Sequence, residues 1–378
     1  MDEKDKMNEQ NAQETATQQE IVTSSLDREK HQEEQKEDVD GLDQHAFDIT
    51  EKFKKSKPQT PPIQKSTRIG VTDKKMETKR ILIFLAFCFG ATWLMELFGV
   101  IPMYQSKDST MVKEAITMIP QIMFAPALAA IIARLLTREG LVKSGFQFNF
   151  AEHKFLFLFG WFGTTLLIGI GAVLYFIVFK DNFDPNMTVF VSTYEAASGT
   201  DVDPVSIVAS YKANLLIKIF TAPILGVVGS FGQEWGFRGY LLPKLFRKIG
   251  PIPAILISGF ASGLWYAPLV YIGYYYGGDN QGFPVTNILA MCIFGMVTGI
   301  IYSVLCLQTG SIFPPVFAHS AVNIMMSQAV LFTVDGGNSF IGPAPTGILS
   351  GLPLLVAAVL FLVYMYKHPI QVSANKEA

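Results

Sequence analysis

Two short segments of this sequence place polar, chemically active side chains four residues apart in apolar surroundings. Glu234 and Arg238 stand at this spacing in GQEWGFRGYLLPKL, and His319 and Asn323 repeat it in FAHSAVN. Residues four apart share one face of an α-helix, so each pair can act at a single point. The first pair can form a hydrogen-bonded ion pair. The second can offer two N–H donors to an oxyanion that forms during hydrolysis.

Both pairs also have purely structural interpretations. Arg238 could compensate the charge of a buried acid near a membrane boundary. His319 and Asn323 could form hydrogen bonds between helices, each contributing about 0.6–2 kcal/mol to stability. Ionisable groups at membrane depth are costly and usually face a bundle interior or a water-filled cavity, and Glu96 is a further example. Two such pairs on separate helices of one bundle favour a shared site.

The sequence offers no complete set of metal ligands. Of its five histidines only His319 lies in an apolar run, and no HExxH motif occurs. Catalytic zinc usually takes three protein ligands rich in His or Cys. Cys88, Cys292 and Cys306 lie in apolar runs without CxxC spacing, which is typical of small buried hydrophobic residues. We therefore predict no cofactor and no bound metal.

Long apolar runs must position these residues. The chain is 50% hydrophobic and 16% charged, which is typical of a membrane protein. A membrane-spanning helix needs about 20 apolar residues. Eight runs approach this length: 81–104, 116–136, 155–179, 214–232, 252–275, 285–306, 311–333 and 347–366. The sequence therefore predicts an all-α polytopic membrane protein, a bundle of about eight transmembrane helices.

The first 80 residues have a different composition. Residues 1–80 hold 18 of the 32 acidic and 15 of the 30 basic residues. Such a stretch buries too little apolar surface to offset the entropy of ordering. We predict a disordered, charged cytoplasmic tail over 1–80, a transmembrane domain over 81–366 and a short cytoplasmic tail over 367–378. The N-terminal tail could recruit a protein partner or serve as a solvated tether.

The distribution of Lys and Arg in the short loops predicts the orientation. The loop 180–213 leans acidic, whereas two other connections are basic. The basic residues are Arg134, Arg138, Lys143 and Lys154 in one connection, and Arg238, Lys244, Arg247 and Lys248 in the other. We predict cytoplasmic N- and C-termini in an integral, multi-pass protein of a bacterial plasma membrane. We therefore expect membrane lipid to surround the protein, and we expect no nucleic-acid partner.

Three segments in order resemble the motifs of the CAAX protease and bacteriocin-processing family of intramembrane endopeptidases. They are QEWGFRGYLLPKL, SGLWYAPLVYIGYYYG and LQTGSIFPPVFAHSAVN. The family motifs run Glu-Glu-x-x-x-Arg, then Phe-x-x-x-His, then His-x-x-x-Asn or a close variant. The resemblance also takes in MFAPALAAIIARLLTREG and covers roughly residues 81–366. It implies a helical membrane bundle whose ligand is a prenylated or bacteriocin-like peptide.

Carried over position by position, the resemblance implies a role for each motif residue. In the family, the first Glu and the second-motif His activate the attacking water, and these positions here hold Gln233 and Tyr266. The third-motif His and Asn line the oxyanion hole, and here they are His319 and Asn323. The remaining motif positions hold Glu234, Arg238 and Ser262.

The two departures from the family motifs are both at positions that activate the attacking water. Gln233 has no basic site, and tyrosine, with an ordinary pKa near 10, is a poor base at neutral pH. Losing a general base costs about 10²–10⁴-fold in rate. The sequence thus predicts a low-activity or inactive relative that binds a membrane peptide, in bacteriocin self-immunity or in regulation of an active paralogue. One alternative is an active endopeptidase with Glu234 as base. A secondary transporter is less favoured, because transporters often show an internal repeat and the two halves of this sequence are not convincingly similar.

Overall fold

The computed structural model describes residues 74–140, 145–198 and 203–368, and within them the chain is helical with no strand. These residues belong to one compact unit, Ser66–Ala378. Most of the predicted N-terminal tail, Lys143 and the C-terminal tail after His368 lie outside the described residues.

The helices, in chain order, are α1 (Lys74–Tyr104), α2 (Ser109–Ile122), α3 (Ala125–Leu136), α4 (Lys154–Val178), α5 (Thr188–Ser198), α6 (Pro204–Leu225), α7 (227–249), α8 (Pro251–Leu264), α9 (Ala267–Tyr271), α10 (Val285–Thr309), α11 (Phe313–Met325) and α12 (Ile348–Lys367). Helices α1, α4 and α7 each contain a π-helical turn, at Glu96–Val100, Phe159–Gly163 and Trp235–Leu241.

Six helices in the described part of the chain are long and apolar enough to cross a membrane, namely α1, α4, α6, α10, α11 with the turn that follows it, and α12. Helices α2 and α3 form a seventh span if the pair, bent by 42°, is counted as one. The predicted all-α membrane fold is confirmed, with six or seven candidate spans where eight runs were counted.

Proline accounts for two of the differences from the predicted spans. The run 116–136 is divided between α2 and α3, and the run 252–275 between α8 and α9. In each case a proline, Pro126 or Pro268, lies in the first turn of the second helix. A proline lacks the N–H that would continue the preceding helix, but it is tolerated in a first turn.

Helix α1 already includes Lys74, so residues 74–80 are helical although the sequence placed them in the tail. Contacts with the end of α7 stabilise these first turns. Glu77 accepts a hydrogen bond from Arg247 at 2.9 Å and lies 3.4 Å from Arg80. Charge-assisted hydrogen bonds of this kind, here partly buried, stabilise the start of α1.

Glu139, just after α3, lies at the centre of a second group of basic side chains. Its carboxylate is 2.7 Å from Nζ of Lys244, 3.5 Å from Arg80 and 3.8 Å from Arg134. Burial disfavours the ionised carboxyl, but Lys244 and the two arginines hold the pKa of Glu139 below its ordinary value. Glu139 thereby links the start of α1 with the ends of α3 and α7.

Helices α8 and α10 approach closely because glycines face each other. A Cβ added at Gly263 would lie 2.5 Å from the carbonyl oxygen of Met291, and one at Gly299 would lie 2.6 Å from Cα of Gly259. Small residues let membrane helices pack backbone to backbone. This packing brings the end of α8 against α10 and fixes one wall of the cavity described next.

Candidate active site

Most of the polar residues singled out in the sequence line one cavity inside the bundle. The space available to the centres of water molecules is about 40 Å³, enough for one or a few waters. Helix α7 contributes Gln233 and Arg238, the link between α8 and α9 contributes Tyr266, and α11 contributes His319 and Asn323. The structure therefore brings together side chains from three separate motifs.

Glu234 and Arg238 form a fully buried ion pair. Nη1 of Arg238 donates to Oε1 of Glu234 at 3.2 Å, and the two side chains are 0% and 1% exposed. Nη2 of the same arginine donates to Oγ of Ser262 at 3.3 Å, and its guanidinium lies over the Tyr302 ring, 5.3 Å from the centroid. The guanidinium is thus held on three sides, in one position beside the cavity.

Glu234 also contacts His319, a pairing that the sequence analysis did not anticipate. Oε1 of Glu234 lies 2.7 Å from Nδ1 of His319, and the Tyr302 ring stacks on the imidazole at 5.2 Å. With Nδ1 donating to the carboxylate, the neutral ring has an acceptor at Nε2, and only the doubly protonated ring donates from both nitrogens. His319 can therefore offer the expected N–H donor to the cavity only as an imidazolium with Glu234 as its counterion.

Asn323 lines the cavity one helical turn further along α11. Its Nδ2 donates to Oγ of Ser230 at 3.3 Å and lies 4.0 Å from Sδ of Met123. An amide nitrogen carries two N–H groups, and besides Ser230 its only partner is the Met123 thioether sulfur, a weak acceptor that a ligand oxygen could replace. Asn323 thus keeps the capacity to donate to a group bound in the cavity.

Gln233 and Tyr266 contact each other across the cavity. The Tyr266 hydroxyl donates to Oε1 of Gln233 at 2.9 Å. Nε2 of Gln233 is buried and has no hydrogen-bond partner among the described residues. An unsatisfied buried donor costs about 1–3 kcal/mol, so this amide has a strong tendency to bind a water or a ligand oxygen in the cavity.

Glu96 lies outside the cavity lining, on the π-helical turn of α1. It is 0% exposed, and neither carboxyl oxygen has a hydrogen-bond partner within the described part of the chain. The neighbouring Trp93 donates to the carbonyl oxygen of Trp265 at 3.2 Å, and Trp265 donates to Thr92 at 3.0 Å. Glu96 is therefore not among the residues that surround the cavity.

A comparison with protein-family models bears on this arrangement. Residues 215–325 match the Rce1-like family of type II CAAX prenyl endopeptidases. The matched segment runs from α6 to the end of α11 and contains every motif residue around the cavity, from Gln233 to Asn323. The resemblance to CAAX-type endopeptidases is therefore confirmed over this segment, which is shorter than the 81–366 expected. No curated protein matches the chain.

Within the matched segment, the structure adds residues that the motifs did not indicate. Ser230 holds Asn323, and Tyr302 covers both Arg238 and His319. Ser230 lies three residues before Gln233, one helical turn away, and this spacing is the only sequence signal for it. Tyr302 gave no signal, because an aromatic residue in an apolar helix is usually a packing residue.

The described residues do not bring metal ligands together. Over residues 74–140, 145–198 and 203–368, no group of three or more His, Cys, Asp or Glu side chains is arranged to hold a metal ion. Cys88, Cys292 and Cys306 are buried free thiols. The predicted absence of a cofactor stays a prediction.

Proposed function

We propose that this integral membrane protein binds a prenylated or other membrane-associated peptide at the cavity and hydrolyses it slowly or not at all. The match to an endopeptidase family supports an intramembrane-endopeptidase-like protein, and the peptide is the ligand that this family implies. In the proposed arrangement both termini face the cytoplasm of a bacterial cell, as the basic loops predict. Its role would be self-immunity to a bacteriocin or regulation of an active paralogue.

One observation carries the proposal of low activity, namely the hydrogen bond from Tyr266 to Gln233. These are the two positions at which the resemblance expects the water-activating Glu and His. A carboxamide cannot accept a proton from water as a carboxylate does, and the phenol already donates its proton to that amide. The pair can hold a water molecule but lacks a group that is basic at neutral pH.

The alternative, in which Glu234 is the base of an active endopeptidase, fits the geometry less well. Glu234 is 0% exposed and does not line the cavity. Its Oε1 atom already contacts both Arg238 and His319. To take a proton from water, the carboxylate would have to leave both partners, and a general base must be within hydrogen-bond reach of the proton that it removes.

Four proteins test the proposal: the wild type, Gln233→Glu, Tyr266→His and the double variant. Each is assayed on a prenylated peptide and on a bacteriocin-type peptide in lipid vesicles. We expect little cleavage by the wild type. The double variant should cleave about 10²-fold faster or more, and well above either single variant, because the base and the orienting group act as one unit.

A double variant that also carries Asn323→Ala is the matched control, and it should lose cleavage if the amide donates to the oxyanion. Substantial wild-type cleavage that disappears in a folded Glu234→Gln protein would contradict the proposal and identify Glu234 as the base. Failure of every variant to bind either peptide would contradict the proposed ligand class.

A further inference from the structure

Basic side chains outnumber acidic ones where the start of α1 meets the ends of α3 and α7. Among the described residues of this group, two carboxylates, those of Glu77 and Glu139, accompany five cationic side chains. The cations, which we call the basic cluster, are Arg80, Arg134, Lys244, Arg247 and Lys248. Charges that are partly withdrawn from water need countercharges, and three of these five have none from the two carboxylates.

The two cations at the end of α7 have donors left for an anion. Nη2 of Arg247 donates to Glu77 at 2.9 Å, and Arg80 contacts the same carboxylate oxygen at 3.4 Å. Nε of Arg247 is buried and has no hydrogen-bond partner in the described part of the chain. Nζ of Lys248, an exposed side chain, donates to the neutral hydroxyl of Thr78 at 2.7 Å. An ammonium group has three N–H donors and a guanidinium has five, so both cations can bind a further acceptor.

Exposed apolar side chains lie beside the basic cluster in the chain. Leu82 follows Arg80 by two positions, and Leu135 and Leu136 follow Arg134 directly, and all three leucines are strongly exposed. They belong to helices that are candidate membrane spans, where such side chains contact lipid tails. The basic cluster therefore lies where the apolar part of these spans ends, at the level of the lipid headgroups. Basic pockets at this level bind anionic headgroups.

We propose that Arg80, Arg247 and Lys248 bind the phosphate group of an anionic membrane lipid, whose acyl chains contact the exposed leucines. A guanidinium matches two phosphate oxygens, and an ammonium adds a point charge. A soluble phosphate would offer the same charge, but the adjacent apolar surface favours a lipid. None of the three cations lines the cavity, so this site is separate from the one proposed for the peptide. The bound lipid would hold the end of α7 against the start of α1.

The experiment measures the melting temperature of the full-length protein, delipidated in a maltoside detergent, after addition of phosphatidylglycerol or phosphatidylcholine. At about ten times its Kd, phosphatidylglycerol should raise the melting temperature by about 2–4 °C more than phosphatidylcholine does, because a ligand of the folded state stabilises it. Arg247→Gln with Lys248→Gln should lose most of this difference. Lys248→Gln alone changes an exposed side chain and should lose part of it, whereas Lys248→Arg keeps the charge and should retain it.

Lys107→Gln with Lys113→Gln is the matched control. It removes two exposed lysines after the other end of α1 and should keep the full difference. Melting temperatures in phosphatidylcholine check that each variant folds, and Lys248→Gln decides if the double variant does not. Equal melting temperatures of the wild type in the two lipids would overturn the proposal, and so would a full difference in folded Lys248→Gln. Equal stabilisation by soluble glycerol phosphate would overturn the lipid in favour of a soluble phosphate.

Discussion

Replacing Arg238 by alanine tests whether the buried charges beside the cavity stabilise the bundle. The substitution removes the hydrogen bonds to Glu234 and Ser262 and the contact with the Tyr302 ring. It leaves the Glu234 carboxylate, 0% exposed, without its guanidinium. We expect a clear loss of stability, because a buried charge that loses its partner has neither water nor a countercharge.

The magnitude follows from the partners that remain. Breaking a buried pair by removing one partner costs about 3–5 kcal/mol. Because His319 still lies 2.7 Å from Glu234, we expect the lower end, about 3 kcal/mol. A loss of this size lowers the melting temperature by about 6–12 °C in a domain of 150–250 residues, and by somewhat less in this longer chain.

A second substitution separates the charge effect from lost packing. In Arg238→Ala with Glu234→Gln, the buried carboxylate is gone and the amide can still bond to His319, so part of the stability should return. Thermal melting of the wild type, both single variants and the double variant in detergent measures the coupling. The exposed Lys154→Ala serves as the control. An Arg238→Ala protein that melts within 1 °C of the wild type, or a double variant less stable than both singles, would refute the reasoning.

Two further predictions concern packing and pH. Gly299→Ala should destabilise the protein by about 1–3 kcal/mol through overpacking, because its new methyl group would lie 2.6 Å from Cα of Gly259 and 2.9 Å from Nη2 of Arg238. Gly169→Ala, with no atom within 4 Å of the new methyl, is the control, and equal melting temperatures of the two variants would contradict the packing argument. The lowered pKa of Glu139 means that its carboxylate stabilises the fold fully above the ordinary value of 4.5, and that this contribution is lost as the pH falls through the lower folded value. The difference in melting temperature between the wild type and Glu139→Gln should therefore shrink as the pH falls from 7 to below 4, and a constant difference would exclude this linkage.

The sequence alone determined the fold class and the motif residues that line the cavity. Apolar runs of about 20 residues predict helices, because a helix of that length crosses the bilayer and satisfies its own backbone hydrogen bonds. Spacing within one helix was equally informative. The four-residue separation of Glu234 and Arg238 predicted an ion pair, and the structure has it at 3.2 Å. Both inferences depend only on residues that are near one another in the chain.

Contacts between helices could not be predicted in the same way. Helical periodicity specifies which residues share a face but not which neighbour that face meets. The pairing of Glu234 with His319, 85 residues apart, changed the interpretation of His319 from a free donor to the partner of a carboxylate. The bond between Gln233 and Tyr266 likewise depends on how helices are rotated against each other. That rotation is set by close packing such as Gly299 against Gly259, and only the tertiary structure decides it.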